Sequence, residues 1–178
     1  MSAAPVPDFP ELWAAGTPWP EYLRPEMQSY ELWRGIREHV VIPDWAVTAF
    51  GAARVRKLLV LGADWCGDAV NTVPVLAGLA AAVDGLELRL LERDGFPALM
   101  DRYLTNGSRS IPIAIGLDAE FRELGHWGPR PSVLQAWVMA NKAIIPTPQR
   151  YAYARRWYAK DRGESTLREL LDAVGGDR

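Results

Sequence analysis

The chain has 178 residues, of which 49% are hydrophobic and 24% charged, and a formal net charge of −2. That length suits one domain with room for extensions, and the composition is that of an ordinary globular protein. The slightly acidic balance argues against nucleic acid as a partner, and no apolar run approaches the roughly 20 residues that span a bilayer.

Residues 1–25 carry Pro5, Pro7, Pro10, Pro18, Pro20 and Pro25 and predict an extended arm that hugs the surface. The first ten residues lack a basic stretch followed by an apolar one, so they do not read as a signal peptide. A single cysteine excludes an intramolecular disulfide, and the cytoplasm is the default expectation. A helix is expected from Pro25, a residue tolerated in a first turn, to Glu38, with Met27, Tyr30, Ile36 and Val40 inward. Pro43 bars its continuation. Asp44 is a good N-cap for a second helix carrying Trp45, Val47 and Phe50.

The middle of the chain alternates strands and helices. Residues 57–63 (KLLVLGA) form the continuous apolar run of a strand covered on both faces. Residues 69–83 read as a helix interrupted at Pro74, Asp84-Gly85 as a turn and 86–91 as a second strand. Residues 97–104 predict a short helix stopped by Asn106-Gly107. Residues 111–117 are a third strand, with 121–127 as its hairpin partner, and 132–141 a helix with Val133, Leu134, Trp137 and Val138 on one face. This order predicts an α/β fold, a central mixed sheet flanked by helices.

Beyond Pro146 and Pro148, residues 149–162 read as helical, and Gly163 ends the run. Thr166 and Glu169 have the spacing of a capping box. Leu167, Leu170, Leu171 and Val174 then fall at i, i+3, i+4, i+7, the period of an amphipathic helix. The expected organisation is a single domain, 1–178, with an N-terminal helical extension (1–54), a core (55–141) and a C-terminal helical extension (142–178).

The stretch that carries chemistry is Ala63-Asp64-Trp65-Cys66-Gly67-Asp68-Ala69. A lone cysteine is more often a small buried hydrophobe. At the end of a buried strand and the head of a helix, however, unpaired N–H groups and the positive helix end favour the nucleophilic thiolate.

Trp65-Cys66-Gly67 resembles the W-C-G of thioredoxins. Pro74, eight residues on, stands where thioredoxin helices carry a kinking proline, and Ser110-Ile111-Pro112 resembles the Ile–cis-Pro element that faces the thiol. The resemblance spans about 56–141 and implies the thioredoxin-like fold, a cis bond before Pro112, and a tryptophan, Trp65, that shields the thiol. More narrowly, D-W-C-G-D-A, with Gly107 to Pro112 and Trp127 to Pro131, looks like a group of bacterial thioredoxin-family proteins with helical extensions.

The departures are as informative. Ala69 replaces the second cysteine, so no internal thiolate can resolve a mixed disulfide. Asp68 replaces the proline before it, and its charge opposes thiolate formation at Cys66. Val60 stands where thioredoxins keep a buried aspartate.

On the fold the resemblance implies, Trp127-Gly128-Pro129-Arg130 lies beside Ile111-Pro112 as one wall of a groove. Gly67 and Asp68 belong to the same groove, and Gly128 would let a partner backbone approach. Arg109 and Arg130 are candidates to hold a carboxylate, for instance of a glutathione-like thiol, through a bidentate fork; solvation or pairing with neighbouring acids is the plainer expectation. His39 and His126 lie far from each other and show no metal-ligand spacing with Cys66, so no metal or other cofactor is expected. Arg150, Arg155, Arg156, Lys160 and Arg162 interleave with Tyr151, Tyr153, Trp157 and Tyr158; on a helix this reads as aromatics inward and charges outward, not as a nucleic-acid surface.

Two functions follow. In the first, Cys66 is a monothiol thiol–disulfide oxidoreductase centre, or a thiol-reactive group, whose partner is a protein or small-molecule thiol or disulfide and which needs an external resolving thiol. In the second, the fold is a redox-inactive binding module that holds a peptide or protein in the Cys66/Pro112 groove.

Overall fold

The computed structural model describes residues 7–176; residues 1–6 of the expected arm lie outside them. At the centre runs β2 (Lys57–Gly62), whose Leu58, Leu59, Val60 and Leu61 are all fully buried, as a strand covered on both faces requires. It pairs in parallel with β3 (Glu87–Glu92) and antiparallel with β4 (Ile113–Leu117). Antiparallel to β4 lies β5 (Glu123–Trp127), with a register shift at Gly116/Leu117. A two-residue strand, β1 (Thr17–Pro18), lies antiparallel to β3 and completes the order β1-β3-β2-β4-β5. The central mixed sheet flanked by helices is the thioredoxin-like α/β arrangement.

The N-terminal segment departs from the extended arm. It folds into α1 (Phe9–Ala15), β1 and α2 (Trp19–Tyr22). Asp8 caps α1 by accepting from the Glu11 N–H, and Pro10 and Pro20 sit in first turns, where a missing N–H costs nothing. Proline here starts elements instead of preventing them. The next helix, α3 (Tyr30–His39), begins five residues later than expected because Ser29 takes a left-handed φ of 56°. Met27 is buried in the turn before it, while Trp33, fully buried, is the main anchor of α3; Tyr30, Ile36 and Val40 are half-buried. In α4 (Asp44–Ala52), Asp44 is the first helical residue and Pro43 takes the cap position.

After β2 the chain enters α5 (Gly67–Ala82), with Pro74 inside it. A short 3-10 turn, Arg93–Gly95, leads to α6 (Pro97–Met100), which stops earlier than expected. At the β4–β5 turn the buried Asp118 carboxylate accepts from the Glu120 and Arg122 N–H groups and from the Arg122 guanidinium, which shortens β5 to five residues. In α7 (Ser132–Asn141), Leu134 is buried but Val133 is 67% exposed, so the expected apolar face is only half used. Then come α8 (Thr147–Asp161) and α9 (Glu164–Val174).

The capping box expected at Thr166 and Glu169 does not form, because α9 starts earlier, at Glu164, with Gly163 at its N-cap. Thr166 is buried inside the helix, and Glu169 accepts instead from the Trp127 indole N–H and from Ser132. The amphipathic stripe does pack inward: Leu167, Leu170 and Val174 join the same core as Trp13, Trp33 and Phe50. At Gly125 an added Cβ would strike the Ala173 carbonyl, and at Gly116, its partner across the ladder, the Val174 side chain. These two glycines let α9 lie directly on β4 and β5.

Candidate functional site

The chain leaves β2 at Gly62 and turns through Asp64 and Trp65 into α5, so Cys66 takes the N-cap position of a 16-residue helix. Its sulfur accepts from the Ala69 N–H at 3.4 Å. The thiol donates to the Ile111 carbonyl oxygen at 3.5 Å, which joins the cysteine to the Ile111-Pro112 turn. That peptide bond is cis, as is Gly128-Pro129. The turn before the cysteine is tied down by α3: the Trp33 indole N–H donates to the Asp64 carbonyl at 3.1 Å, and the Asp64 carboxylate accepts from the Gln28 N–H at 2.8 Å. Nothing in the sequence marked Trp33 for that role.

Burial governs the electrostatics. Cys66 is only 8% exposed. Burial pushes its thiol up from the ordinary range; the Ala69 N–H favours the thiolate, the Asp68 charge opposes it, and the Arg130 guanidinium does not reverse the outcome. The thiolate-favouring helix end is therefore outweighed.

Asp68 is itself enclosed. Its carboxylate accepts from the Arg130 guanidinium at 2.7 Å and from the Tyr158 hydroxyl at 2.9 Å. Burial nevertheless pushes its carboxyl up, against the pull of Arg130 and Tyr158 toward the ionised form. The Tyr158 phenol is pushed up as well, by burial and by the Asp68 charge. Residue 68 thus docks α8 onto the head of α5.

Around the cysteine lies a cavity of about 630 Å³. Trp65, Cys66, Gly67 and Asp68 form its base, with Ile111 and Ser110 on one side. Arg93 and Arg109 stand at the rim; Thr147, Pro148, Tyr151, Ala154 and Arg155 of α8 make the facing wall. That wall had gone unrecognised. Its signal was present as the i, i+3, i+4 recurrence of 147, 148, 151, 154, 155 and 158, a stripe with polar tips that belongs against other protein. Within the expected aromatics-inward pattern Tyr158 is buried, whereas Tyr151 is 61% exposed over the cavity.

The remaining candidates divide. Trp65 is 49% exposed and carries the Arg93 guanidinium 4.8 Å above its ring. Pro112 is buried behind Ile111. Trp127 is 6% exposed, with its indole N–H on Glu169, and does not reach the cavity. Gly128, at φ 128°, does admit a close backbone, but that backbone is the chain's own: an added Cβ would strike the Pro112 carbonyl oxygen. Arg109 grips Asp101 with a two-pronged pair at 2.6 and 2.8 Å. Arg130 is engaged by Asp68 and by Gln135 at 2.6 Å. His39 contacts the Gly35 carbonyl, and His126 meets the edge of Tyr103, both outside the cavity. Among the described residues no three metal-binding side chains gather at one point.

No curated protein matches this chain. Among solved structures, a protein of unknown function from Pseudomonas aeruginosa is similar at 20% identity and a TM-score of 0.73, covering 94% of this chain and 96% of its own. An HIV epitope-scaffold is similar at 19% identity and a TM-score of 0.74, covering 97% of this chain and all of its own. At such identities the likeness is one of fold. A family model described as thioredoxin matches residues 16–146. With most of its length matched, its sheet order that of the fold and its single cysteine at the strand-to-helix turn, the chain belongs to the thioredoxin family.

Proposed function

We propose that this protein is a binding module of the thioredoxin family, which holds an extended partner in the groove around Cys66 and does not carry out thiol exchange. The observation that carries this reading is the enclosure of Cys66: it is buried, its sulfur lies 3.5 Å from the Ile111 carbonyl oxygen, a neighbour that favours the protonated thiol over the thiolate, and burial pushes its thiol up from the ordinary range. Ala69 and Val60 support it, since neither a resolving thiol nor a buried acid stands where dithiol chemistry needs one.

A specific observation keeps monothiol exchange as the second reading. Cys66 caps a long helix, accepts the Ala69 N–H and borders the cavity, so an incoming disulfide has a route to the sulfur. In that case the thiolate would attack one disulfide sulfur, release the other half as a thiolate, and await an external thiol that frees Cys66 and leaves with the bound half.

The pH dependence of Cys66 alkylation separates the two. The binding module gives a rate that rises only above about pH 8.5, the ordinary thiol value, and no adduct by mass spectrometry after incubation with oxidised glutathione. Alkylation that saturates below neutral pH, with an adduct absent from Cys66→Ser, replaces the binding module with monothiol exchange. As a positive test, selection from a displayed random-peptide library should yield binders that Cys66→Ser retains and that Trp65→Ala abolishes.

A further inference from the structure

The cavity wall is unusually one-sided in charge. Four arginines line it, Arg93, Arg109, Arg130 and Arg155, against a single carboxylate, Asp68. Asp68 is already spent on Arg130 and Tyr158. The other three arginines come from separate parts of the chain: the turn after β3, the loop before Ile111, and α8. Arg93 and Arg109 are paired with Asp94 and Asp101, which do not line the cavity, so the charge without a partner at the wall is that of Arg155.

We infer that the groove selects an acidic, extended peptide segment of a partner protein, with carboxylates held by Arg155 on the α8 side and by Arg93 and Arg109 on the other. This rests on the binding-module reading and adds to it the class of partner.

The donors are there to do it. Arg155 is exposed, and its guanidinium makes no ion pair or hydrogen bond among the described residues. Arg109 spends Nε and Nη2 on Asp101, which leaves Nη1 for another acceptor. Arg93 uses Nε on Asp94 and Nη1 on the Arg109 carbonyl, which leaves Nη2. Neither of the paired acids, Asp94 and Asp101, lines the cavity. Guanidinium forks suit carboxylates better than any other side chain does.

The floor points to peptide over a bare anion. Trp65 and Leu32 are large apolar side chains, 49% and 41% exposed at the groove, and Val70 and Ile111 continue the apolar surface. A ligand that satisfies the whole site carries acids at its flanks and an apolar side chain between them. The Arg93 guanidinium lies 4.8 Å over the Trp65 ring, a cation–π contact that joins the apolar platform to the cationic rim.

The test uses the full chain and a fluorescent nonapeptide with glutamates flanking a central leucine, beside the same peptide with glutamine for each glutamate. Anisotropy titrations at low salt should show the acidic peptide binding about tenfold tighter or more, with the advantage shrinking at high salt. Arg155→Gln should weaken the acidic peptide several-fold and leave the glutamine peptide unchanged; Arg155→Lys should recover part of the loss, and Arg155→Glu should remove the preference. Because Arg155 is exposed, these variants keep the fold, which circular dichroism checks. Equal binding of both peptides, sensitive to Trp65→Ala, overturns the acidic preference and leaves the binding-module reading standing. Binding of neither peptide overturns the proposal, and the library selection then decides the reading beneath it. A single-stranded oligouridine that binds more tightly than the acidic peptide overturns it in favour of nucleic acid, and preferential binding of free glutathione overturns it in favour of a small anionic thiol.

Discussion

A protonated thiol two positions from a buried carboxylate gives the alkaline side of the stability curve a definite sign. The folded Cys66 keeps its proton to higher pH than the unfolded thiol, which titrates near about 8.5. Across that window the folded state binds more protons than the unfolded one, so stability falls as pH rises and is unaffected below it. Urea unfolding of the wild type should therefore lose midpoint between about pH 8.5 and the folded pKa more steeply than Cys66→Ser does. Parallel curves would mean that the thiol ionises alike in both states. At this scale the sequence was informative where a residue's role is local. The place of Cys66 at the head of a helix follows from an apolar strand run followed by Trp65-Cys66-Gly67. The partners of Asp68 do not, because Tyr158 lies 90 residues further along the chain, and a pairing over that distance is a product of the fold. Gly128 differs: its place beside Ile111-Pro112 was expected from the family resemblance, but the backbone it admits is the chain's own Pro112 carbonyl and not a partner's.

Helix α8 illustrates how an element acquires a job from a few side chains. It reaches α5 through Tyr158, whose hydroxyl meets Asp68, and it stacks Tyr153 on Trp137 of α7, with ring centroids 3.6 Å apart. Hydrogen bonds to charged groups contribute about 1.5–3 kcal/mol, a large share of what holds one helix over a cavity. Tyr158→Phe should therefore leave the helical content unchanged but make the Cys66 thiol about tenfold more reactive toward an alkylating agent, since each 1.4 kcal/mol of easier opening is a factor of ten. An unchanged rate would show that α8 stays in place without that bond. Strands β2 and β4 were legible because a continuous apolar run declares burial on both faces without knowledge of a partner. The start of α9 was not: local spacing paired Thr166 with Glu169, but Trp127 and Ser132 supply Glu169 with donors that only the tertiary structure brings near. The N-terminal arm misled in the opposite direction, since prolines that forbid a helix interior are at home in the first turns of α1 and α2.

For the molecule as a whole, the flanking helices are part of one core. Leu167, Leu170 and Val174 of α9 are each at most 1% exposed, and fully burying such a side chain contributes roughly 1.5–3 kcal/mol. Three together rival the roughly 5–15 kcal/mol that separates folded from unfolded domains. A chain ended after Arg162 should accordingly show no cooperative melt. In the full chain, Leu170→Ala should cost about 2–5 kcal/mol in urea unfolding while keeping a single transition by fluorescence and circular dichroism alike. Two separated transitions would show α9 to be an independent appendage. The margins of the sheet carry one more consequence. On the β3 side the outermost strand is two residues long, and the second, Pro18, has no N–H to give. On the other side β5 is five residues long, kinked at its shifted register, and followed by the Gly128-Pro129 bend. A stray strand from another molecule therefore finds only a short, interrupted row of donors and acceptors to zip onto, which works against fibre-like stacking on either side. Recognition by lengthening the sheet is disfavoured for the same reason, which puts the weight on the side chains of the groove.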